Sequence, residues 1–165
     1  FDAAATPANG MVPTRFGAGF APTTDTMAGG ASVVTVTRAA GGANGSAGAL
    51  SVQGEVRTGF AYPWSGAMFF PAAMPMQPVD LSGRSTLVFR LRGDARPLQV
   101  MLFSGVQMQA MPSTRIVQVT GEWTEVRIPL SAFQGADLTR VRGIAFTATL
   151  PAGAFAFQLD DVAVE

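Results

Sequence analysis

From Ser32 onward, apolar and polar positions alternate with a period of two in a series of short segments. The segments are rich in β-branched and aromatic residues and are separated by turns containing Gly, Pro and Asn, a pattern typical of strands in an all-β protein. They read SVVTVTRA, ALSVQGEVR, GAMFFPAA, STLVFRLRG, LQVMLFS, RIVQVTGEWTEVRIPL, VRGIAFTATL and FAFQLDDVAVE. The pattern predicts eight or nine β-strands.

Each predicted strand has one apolar face. Leu87, Phe89 and Leu91 fall on one side, whereas Arg90 and Arg92 fall on the other. The same division separates Leu98, Val100 and Leu102 from Gln99 and Met101, and Phe155, Phe157 and Leu159 from Gln158 and Asp160. One apolar face per strand favours an antiparallel β-sandwich in which two sheets enclose a core.

Two regions lack this alternation. The first 31 residues are rich in Gly, Pro, Ala and Thr, and we expect irregular backbone over a sheet edge there, with a short strand at the terminus as the alternative. The segment LSAFQGADLTRV predicts a short helical turn. At 165 residues the chain fits one domain, residues 1–165. Because it begins at Phe1 without an initiator Met, we expect it to be excised from a longer protein.

Charge and composition exclude many functions. The 11 basic and 11 acidic residues balance, so no net field favours nucleic acid, and no apolar run approaches the roughly 20 residues that cross a bilayer. All basic residues are Arg, and the chain has no Lys, His or Cys. Lysine Schiff bases, cysteine nucleophiles, histidine bases and histidine or thiolate metal sites are therefore excluded.

Acidic chemistry remains available, but no motif uses it. Glu55, Glu122 and Glu125 lie in strand-like or turn segments without an acid-and-nucleophile setting, and no Gly-x-Ser-x-Gly elbow is present. The sequence therefore predicts a module that is not an enzyme.

The segment TDTMAGGAS resembles the Asp-x-x-Met-Gly-Gly-x-Ser signature of the complex I intermediate-associated protein 30 (CIA30) family. The segments GALSVQGEV, GEWTEVRIPLSAF and FQLDDVAVE agree with the same family in the expected order. The resemblance implies a galactose-binding-like jelly roll, similar to family 11 carbohydrate-binding modules.

Two roles are open for the signature itself. Gly29 and Gly30 can turn the backbone tightly into the strand that begins at Ser32, where a Cβ would clash. Alternatively, Asp25 and Ser32 present oxygens to a ligand. The structural role is the favoured one.

The resemblance also implies a structural calcium ion, which jelly-roll modules of this kind often hold between their terminal strands. The matching positions are Asp160 and Asp161, together with Asp2. Calcium takes about six to eight oxygen ligands. In the alternative interpretation, one carboxylate of the Asp160–Asp161 pair lies in solvent and the other pairs with an Arg.

The segment FAYPWSGAMFF concentrates aromatic residues, and two of them carry a polar edge suited to sugars, Tyr62 and Trp64. They form a binding platform if they face solvent and are core residues if they face inward, which is the commoner case. Arg90, Arg92 and Gln99 are candidates to bind ligand hydroxyl or carboxylate groups from a polar sheet face, although an ordinary solvated face is the favoured interpretation. The residues predicted to accompany them on that face are Gln107, Gln109, Arg127 and Gln158.

We therefore expect a binding or accessory module that is attached to a larger bacterial-type enzyme and recognises carbohydrate or its parent enzyme. The alternative is a protein-interaction module with the chaperone-like assembly role that the CIA30 resemblance implies. An apolar, Met-rich middle of the chain supports that alternative. A secreted or periplasmic location is favoured, although the sequence names no compartment.

Overall fold

The computed structural model describes residues 10–106 and 111–165, and this part of the chain contains ten β-strands. The strands are β1 Gly19–Thr24, β2 Val33–Ala40, β3 Gly48–Val56, β4 Ser65–Phe70, β5 Thr86–Gly93, β6 Pro97–Ser104, β7 Ser113–Gln118, β8 Thr124–Pro129, β9 Val141–Ala148 and β10 Gly153–Val164. Short 3₁₀ helices occupy Asp25–Ala28, Ala43–Gly45, Leu130–Ala132 and Leu138–Arg140.

The strands form two five-stranded antiparallel sheets. The first sheet has the order β1-β4-β9-β6-β7, and the second has the order β2-β3-β10-β5-β8. Consecutive strands such as β5 and β6 therefore lie in different sheets, as in a jelly roll. The predicted antiparallel β-sandwich is confirmed.

The core lies between the sheets and is built from the apolar faces that the alternation predicted. Leu87, Phe89 and Leu91 are all buried, as are Leu98, Val100 and Leu102 of β6 and Phe155, Phe157 and Leu159 of β10. The Phe146 ring of the first sheet meets the Phe89 ring of the second edge to face, with 5.0 Å between centroids. Burial of these large side chains holds the sheets together.

The structure differs from the prediction at the amino-terminal end. Strand β1 lies within the first 31 residues, where we expected irregular backbone, and pairs with β4 at the edge of the first sheet. Phe20 is its one deeply buried large side chain, so the segment shows no alternation to detect. Its Pro22 is tolerated because an edge strand leaves one side unpaired.

Two further elements refine the prediction. The long segment RIVQVTGEWTEVRIPL contains two strands, β7 and β8, which belong to different sheets. The segment LSAFQGADLTRV forms the 3₁₀ turns at Leu130–Ala132 and Leu138–Arg140, which confirms a short helical turn there. Within residues 10–106 and 111–165, no helix is both long and apolar enough to cross a bilayer.

Candidate functional site

A cleft of about 510 Å³ lies on the outer face of the first sheet. We call it the aromatic cleft. It is lined by Phe60, Ala61, Tyr62, Pro63, Trp64, Gln99, Met101, Phe103, Met111, Pro112, Thr114, Thr149 and Leu150. The loop between β3 and β4 forms one wall, and the residues that follow β6 and β9 contribute to the opposite side.

The strand register explains why the floor of this cleft is apolar. One row across the sheet consists of Ala21, Met68, Ala145, Met101 and Thr114. Met68, Met101 and Ala145 are buried in a cluster separate from the main core, although they face outward. These strands are therefore apolar on both faces, which is typical of a sheet face that is covered or binds a partner.

The next row supplies the polar groups of the floor. It runs from Gly66 through Thr147 to Gln99. A Cβ at Gly66 would overlap with the Phe146 carbonyl oxygen of the neighbouring strand. Thr147 is completely buried, and its Oγ1 has no hydrogen-bond partner within the described part of the chain. The Thr147 hydroxyl lies beneath the surface, and Gln99 is the residue of this row that lines the cleft.

The aromatic wall comes from the loop that precedes β4. The Tyr62 residue is 79% exposed, and the half-buried Trp64 indole donates from Nε1 to Thr23 Oγ1 at 3.4 Å. The Phe60 and Trp64 rings meet edge to face, with 6.1 Å between centroids. Tyr62 and Trp64 therefore line the cleft, whereas Phe69 of the same aromatic segment lies in the core. The core interpretation was wrong for the loop because Pro63 lies in irregular backbone and not in a strand.

One rim of the cleft is held by an arginine. Arg96 donates to the carbonyl oxygens of Thr149 at 2.5 Å, Pro151 at 2.7 Å and Ala154 at 3.3 Å. Burial lowers the pKa of the Arg96 guanidinium from its ordinary value, and the Asp94 charge partly opposes that shift. The guanidinium still carries its charge near neutral pH. These bonds fix the turn that presents Leu150 to the cleft.

The signature loop has a structural role. The buried Asp25 carboxylate accepts from the Ser32 backbone N–H at 2.9 Å, the Ser32 hydroxyl at 2.7 Å and the Trp64 N–H at 3.3 Å. The Asp25 N–H in turn donates to the Trp64 carbonyl oxygen at 3.1 Å. Asp25 and Ser32 therefore do not present free oxygens to a ligand. The Asp25 bonds hold the signature loop against the backbone of Trp64, an aromatic residue of the cleft.

The two glycines of the signature fit this role. Gly29 has a positive φ of 93° at the end of the 3₁₀ turn, and a Cβ at Gly30 would overlap with the Asp25 carboxylate. The predicted structural need for Gly29 and Gly30 is confirmed.

The residues predicted for the polar face do not lie together. Gln99 lines the aromatic cleft, whereas Arg90 and Arg92 lie on β5 in the second sheet. The prediction that these three residues share one sheet face was wrong. Alternation assigns a residue to one face of its strand, but it does not assign the strand to a sheet. Arg90 forms ion pairs with Glu125 at 3.0 Å and Asp161 at 3.7 Å. Gln107 and Gln109 lie outside the described residues.

The predicted calcium ligands also separate. Asp161 is exposed, whereas Asp160 is buried. Asp160 Oδ2 accepts from the Ala43 N–H at 2.8 Å and the Ser46 hydroxyl at 2.5 Å, and its Oδ1 accepts from the Asp161 N–H. A bulge in β10 produces this arrangement, and Asp161 has a positive φ of 48° there.

Both Asp160 oxygens accept hydrogen bonds from the chain, so this carboxylate is satisfied without a cation. Within the described ranges no three acidic, His or Cys side chains cluster as they would to hold a metal ion. Asp2, the third predicted ligand, lies outside those ranges, and calcium stays a prediction. The alternative interpretation placed one carboxylate in solvent and paired the other with an Arg. In the structure Asp161 has both roles, because it is exposed and also pairs with Arg90.

The comparison with protein families agrees with the fold and with the signature loop. Residues 15–148 match the model of the complex I intermediate-associated protein 30 (CIA30) family. The chain belongs to the CIA30 family. A comparison with curated protein sequences finds no significant match.

Solved structures similar to this CIA30 chain include carbohydrate-binding modules. The family 11 module of the cellulosomal cellulase Lic26A-Cel5E of Clostridium thermocellum has a TM-score of 0.66 at 16% identity, covering 88% of this chain and 86% of that one. A second structure of a family 11 module from that organism, in complex with a β-1,3-1,4-mixed-linked tetrasaccharide, has a TM-score of 0.66 at 15% identity, with coverages of 88% and 87%. The family 30 module of Cel9D-Cel44B of C. thermocellum has a TM-score of 0.60 at 18% identity, covering 79% and 82%. At these identities the similarity shows the jelly-roll sandwich alone.

Several residues of the cleft in this CIA30 chain were not predicted as site residues. They are Met101, Phe103 and Leu150, which line it. A usable signal was present, since Met101 and Phe103 alternate with the buried Val100 and Leu102 and make β6 apolar on both faces.

Proposed function

We propose that this chain is a non-catalytic binding module that holds a neutral carbohydrate in the aromatic cleft. The observation that carries the proposal is the exposed Tyr62 beside Trp64 and Gln99, over an apolar floor that includes Met101 and Phe103. Aromatic rings stack on the apolar faces of sugars, while an amide and hydroxyls bond to sugar hydroxyl groups.

The charge of the lining supports a neutral ligand. Among the described residues, the cleft is lined by no carboxylate and no guanidinium. A glycoside hydrolase needs a pair of carboxylates on either side of the scissile bond. The lining therefore supports binding without bond cleavage, in keeping with a chain that lacks Lys, His and Cys.

The solved structures suggest the first ligand to test. A family 11 module of similar fold has been solved in complex with a β-1,3-1,4-mixed-linked tetrasaccharide. We propose a neutral β-glucan of this kind as the probe for the aromatic cleft, and a role for the module as an accessory part of a larger enzyme.

Isothermal titration calorimetry with the mixed-linked tetrasaccharide tests this proposal. Tyr62→Ala is expected to weaken binding about fivefold, because stacking of one ring contributes on the order of 1 kcal/mol. The melting temperature should hardly change, since the Tyr62 residue is 79% exposed. Phe16→Ala is the control, because this half-exposed aromatic ring lies outside the cleft. Equal affinities of wild type and Tyr62→Ala would count against the proposal.

A second candidate function is protein interaction, and the apolar lining favours it. Met101, Phe103, Met111 and Leu150 give the cleft far more apolar than polar surface, and the Met111 residue is 88% exposed. Flexible Met-rich surfaces adapt to apolar protein segments. This surface suits the assembly role that the CIA30 family name implies.

Peptide selection separates the two candidates. A displayed peptide library selected on the wild-type module should yield apolar sequences if the cleft takes protein. Met111→Glu should lose that selection, because a charge at the rim opposes an apolar partner. Selected peptides that depend on Met111, together with no heat of binding for the glucan, would reverse the ranking.

A further inference from the structure

The outer face of the second sheet holds a groove of about 310 Å³, on the side opposite the aromatic cleft. It is lined by Ser51, Gln53, Arg92, Gly93, Asp94, Gly121, Ala156, Phe157 and Gln158. We call it the arginine groove. Its volume lies in the range of small-molecule pockets.

The register produces the groove. One row of side chains crosses the sheet through Ser51, Gln158 and Arg92, and the pairing of Leu91 with Thr124 brings Trp123 beside Arg92. The next row contains Gln53 and the small Ala156. The hollow exists because Ala156, Gly93 and Gly121 have little or no side chain. A Cβ at Gly93 would overlap with the Ala156 carbonyl oxygen.

Arg92 is held rigidly at the wall of this groove. Its Nε donates to Gln158 Oε1 at 2.8 Å, and its guanidinium carbon lies 4.6 Å from the centroid of the Trp123 ring. The two terminal nitrogens of Arg92 have no hydrogen-bond partner within residues 10–106 and 111–165. A guanidinium fixed in this way is preorganised to bind a carboxylate through two parallel hydrogen bonds.

Arg92 also differs from the other arginines on the same face, because they form ion pairs with acidic side chains. Arg90 pairs with Glu125 and Asp161, and Arg127 pairs with Glu165 at 2.6 Å. Arg92 has no ion pair in the described part of the chain.

The acidic residue of the groove does not neutralise Arg92. Asp94 Oδ2 accepts from the Ala156 N–H at 2.7 Å, and its charge acts on Arg96. The arginine groove therefore presents the Arg92 guanidinium without a direct ion pair, beside neutral hydrogen-bonding side chains and the hydrogen-bonded Asp94 carboxylate.

We propose that the arginine groove binds a uronic acid residue of an acidic polysaccharide, with the ligand carboxylate on the terminal nitrogens of Arg92. Ser51 and Gln53 supply a hydroxyl and an amide for the ring hydroxyls. This polar lining favours a sugar acid over the carboxyl terminus of a peptide. The site is separate from the aromatic cleft and does not depend on it.

Calorimetry with a galacturonic acid trimer and a neutral galactose trimer tests the proposal. We expect the wild-type module to bind the acidic trimer and not the neutral one, with affinity falling as salt rises. Arg92→Gln should weaken binding at least about tenfold. Arg84→Gln is the matched control, because it removes one exposed positive charge outside the groove and should leave the affinity unchanged.

A second variant guards against a folding defect in Arg92→Gln. A Cβ at Gly121 meets no atom within 4 Å, so Gly121→Glu places a carboxylate at the groove without a steric clash. We expect this variant to melt like the wild type and to weaken binding of the acidic trimer by at least about fivefold through like-charge repulsion. Tyr62→Ala should bind the acidic trimer normally.

Four results would overturn the proposal. They are no binding of the acidic trimer, equal binding of both trimers, the same affinity for Arg92→Gln and Arg84→Gln, and no effect of Gly121→Glu. A short peptide whose free carboxyl terminus binds more tightly than the sugar, with the same dependence on Arg92, would assign the groove to peptides instead.

Discussion

Phe146→Ala is expected to lower the free energy of unfolding by about 4 kcal/mol, because a buried Phe is replaced by a cavity. Phe146 is completely buried in the middle strand of the first sheet and contacts both Phe89 of the second sheet and Phe20 of the edge strand. The neighbouring backbone is fixed by two ladders of hydrogen bonds, so the site cannot collapse around the missing ring. Urea unfolding followed by circular dichroism measures the loss.

Ile116→Ala is the control for this experiment. Ile116 lies on β7 of the same sheet and is 60% exposed, so its truncation should change stability by less than about 0.5 kcal/mol. If Phe146→Ala cost as little as Ile116→Ala, the aromatic contact between the sheets would not be a principal source of stability.

Asp25→Ala is expected to destabilise the module by about 3 kcal/mol. The change removes a fully buried acceptor and leaves the Ser32 N–H, the Ser32 hydroxyl and the Trp64 N–H without that partner. Each buried donor left unpaired costs about 1–3 kcal/mol, and relaxation of the loop recovers part of the sum. For a chain of this length, the melting temperature should fall by about 9 °C.

The same variant has a local effect that a general loss of stability does not produce. Freed from Asp25, the loop that carries Trp64 should become mobile, and tryptophan emission should shift to longer wavelength well below the melting temperature. Glu122→Ala is the control, because Glu122 is exposed and its side chain makes no hydrogen bond with any of the described residues. If Asp25→Ala and Glu122→Ala had the same melting temperature, the signature loop would not depend on the Asp25 carboxylate.

The sandwich could be predicted because its strands bury one face each. Leu87, Phe89 and Leu91 alternate with polar residues, and this alternation fixes which side of β5 meets the core. It does not state which sheet receives the strand. For this reason Arg92 and Gln99 were assigned to one face although they lie on opposite sides of the molecule.

The candidate site could be predicted only where its residues are close in sequence. Tyr62 and Trp64 stood out as neighbours in an aromatic segment, whereas Thr147 joins Gln99 only through the pairing of β9 with β6. The link between Asp25 and Trp64 likewise spans 39 residues. Contacts of this kind depend on how distant strands pair, and the pairing cannot be read from a single sequence.

The most direct test is a nuclear magnetic resonance titration of the isotope-labelled module with the mixed-linked tetrasaccharide. A neutral carbohydrate in the aromatic cleft should shift the amide signals of Trp64, Gln99 and Thr147 and leave those of Arg92 and Gln158 in place. The saccharide should be recovered uncleaved. No shifts in the cleft, shifts confined to the second sheet, or cleavage of the saccharide would contradict a non-catalytic carbohydrate-binding module.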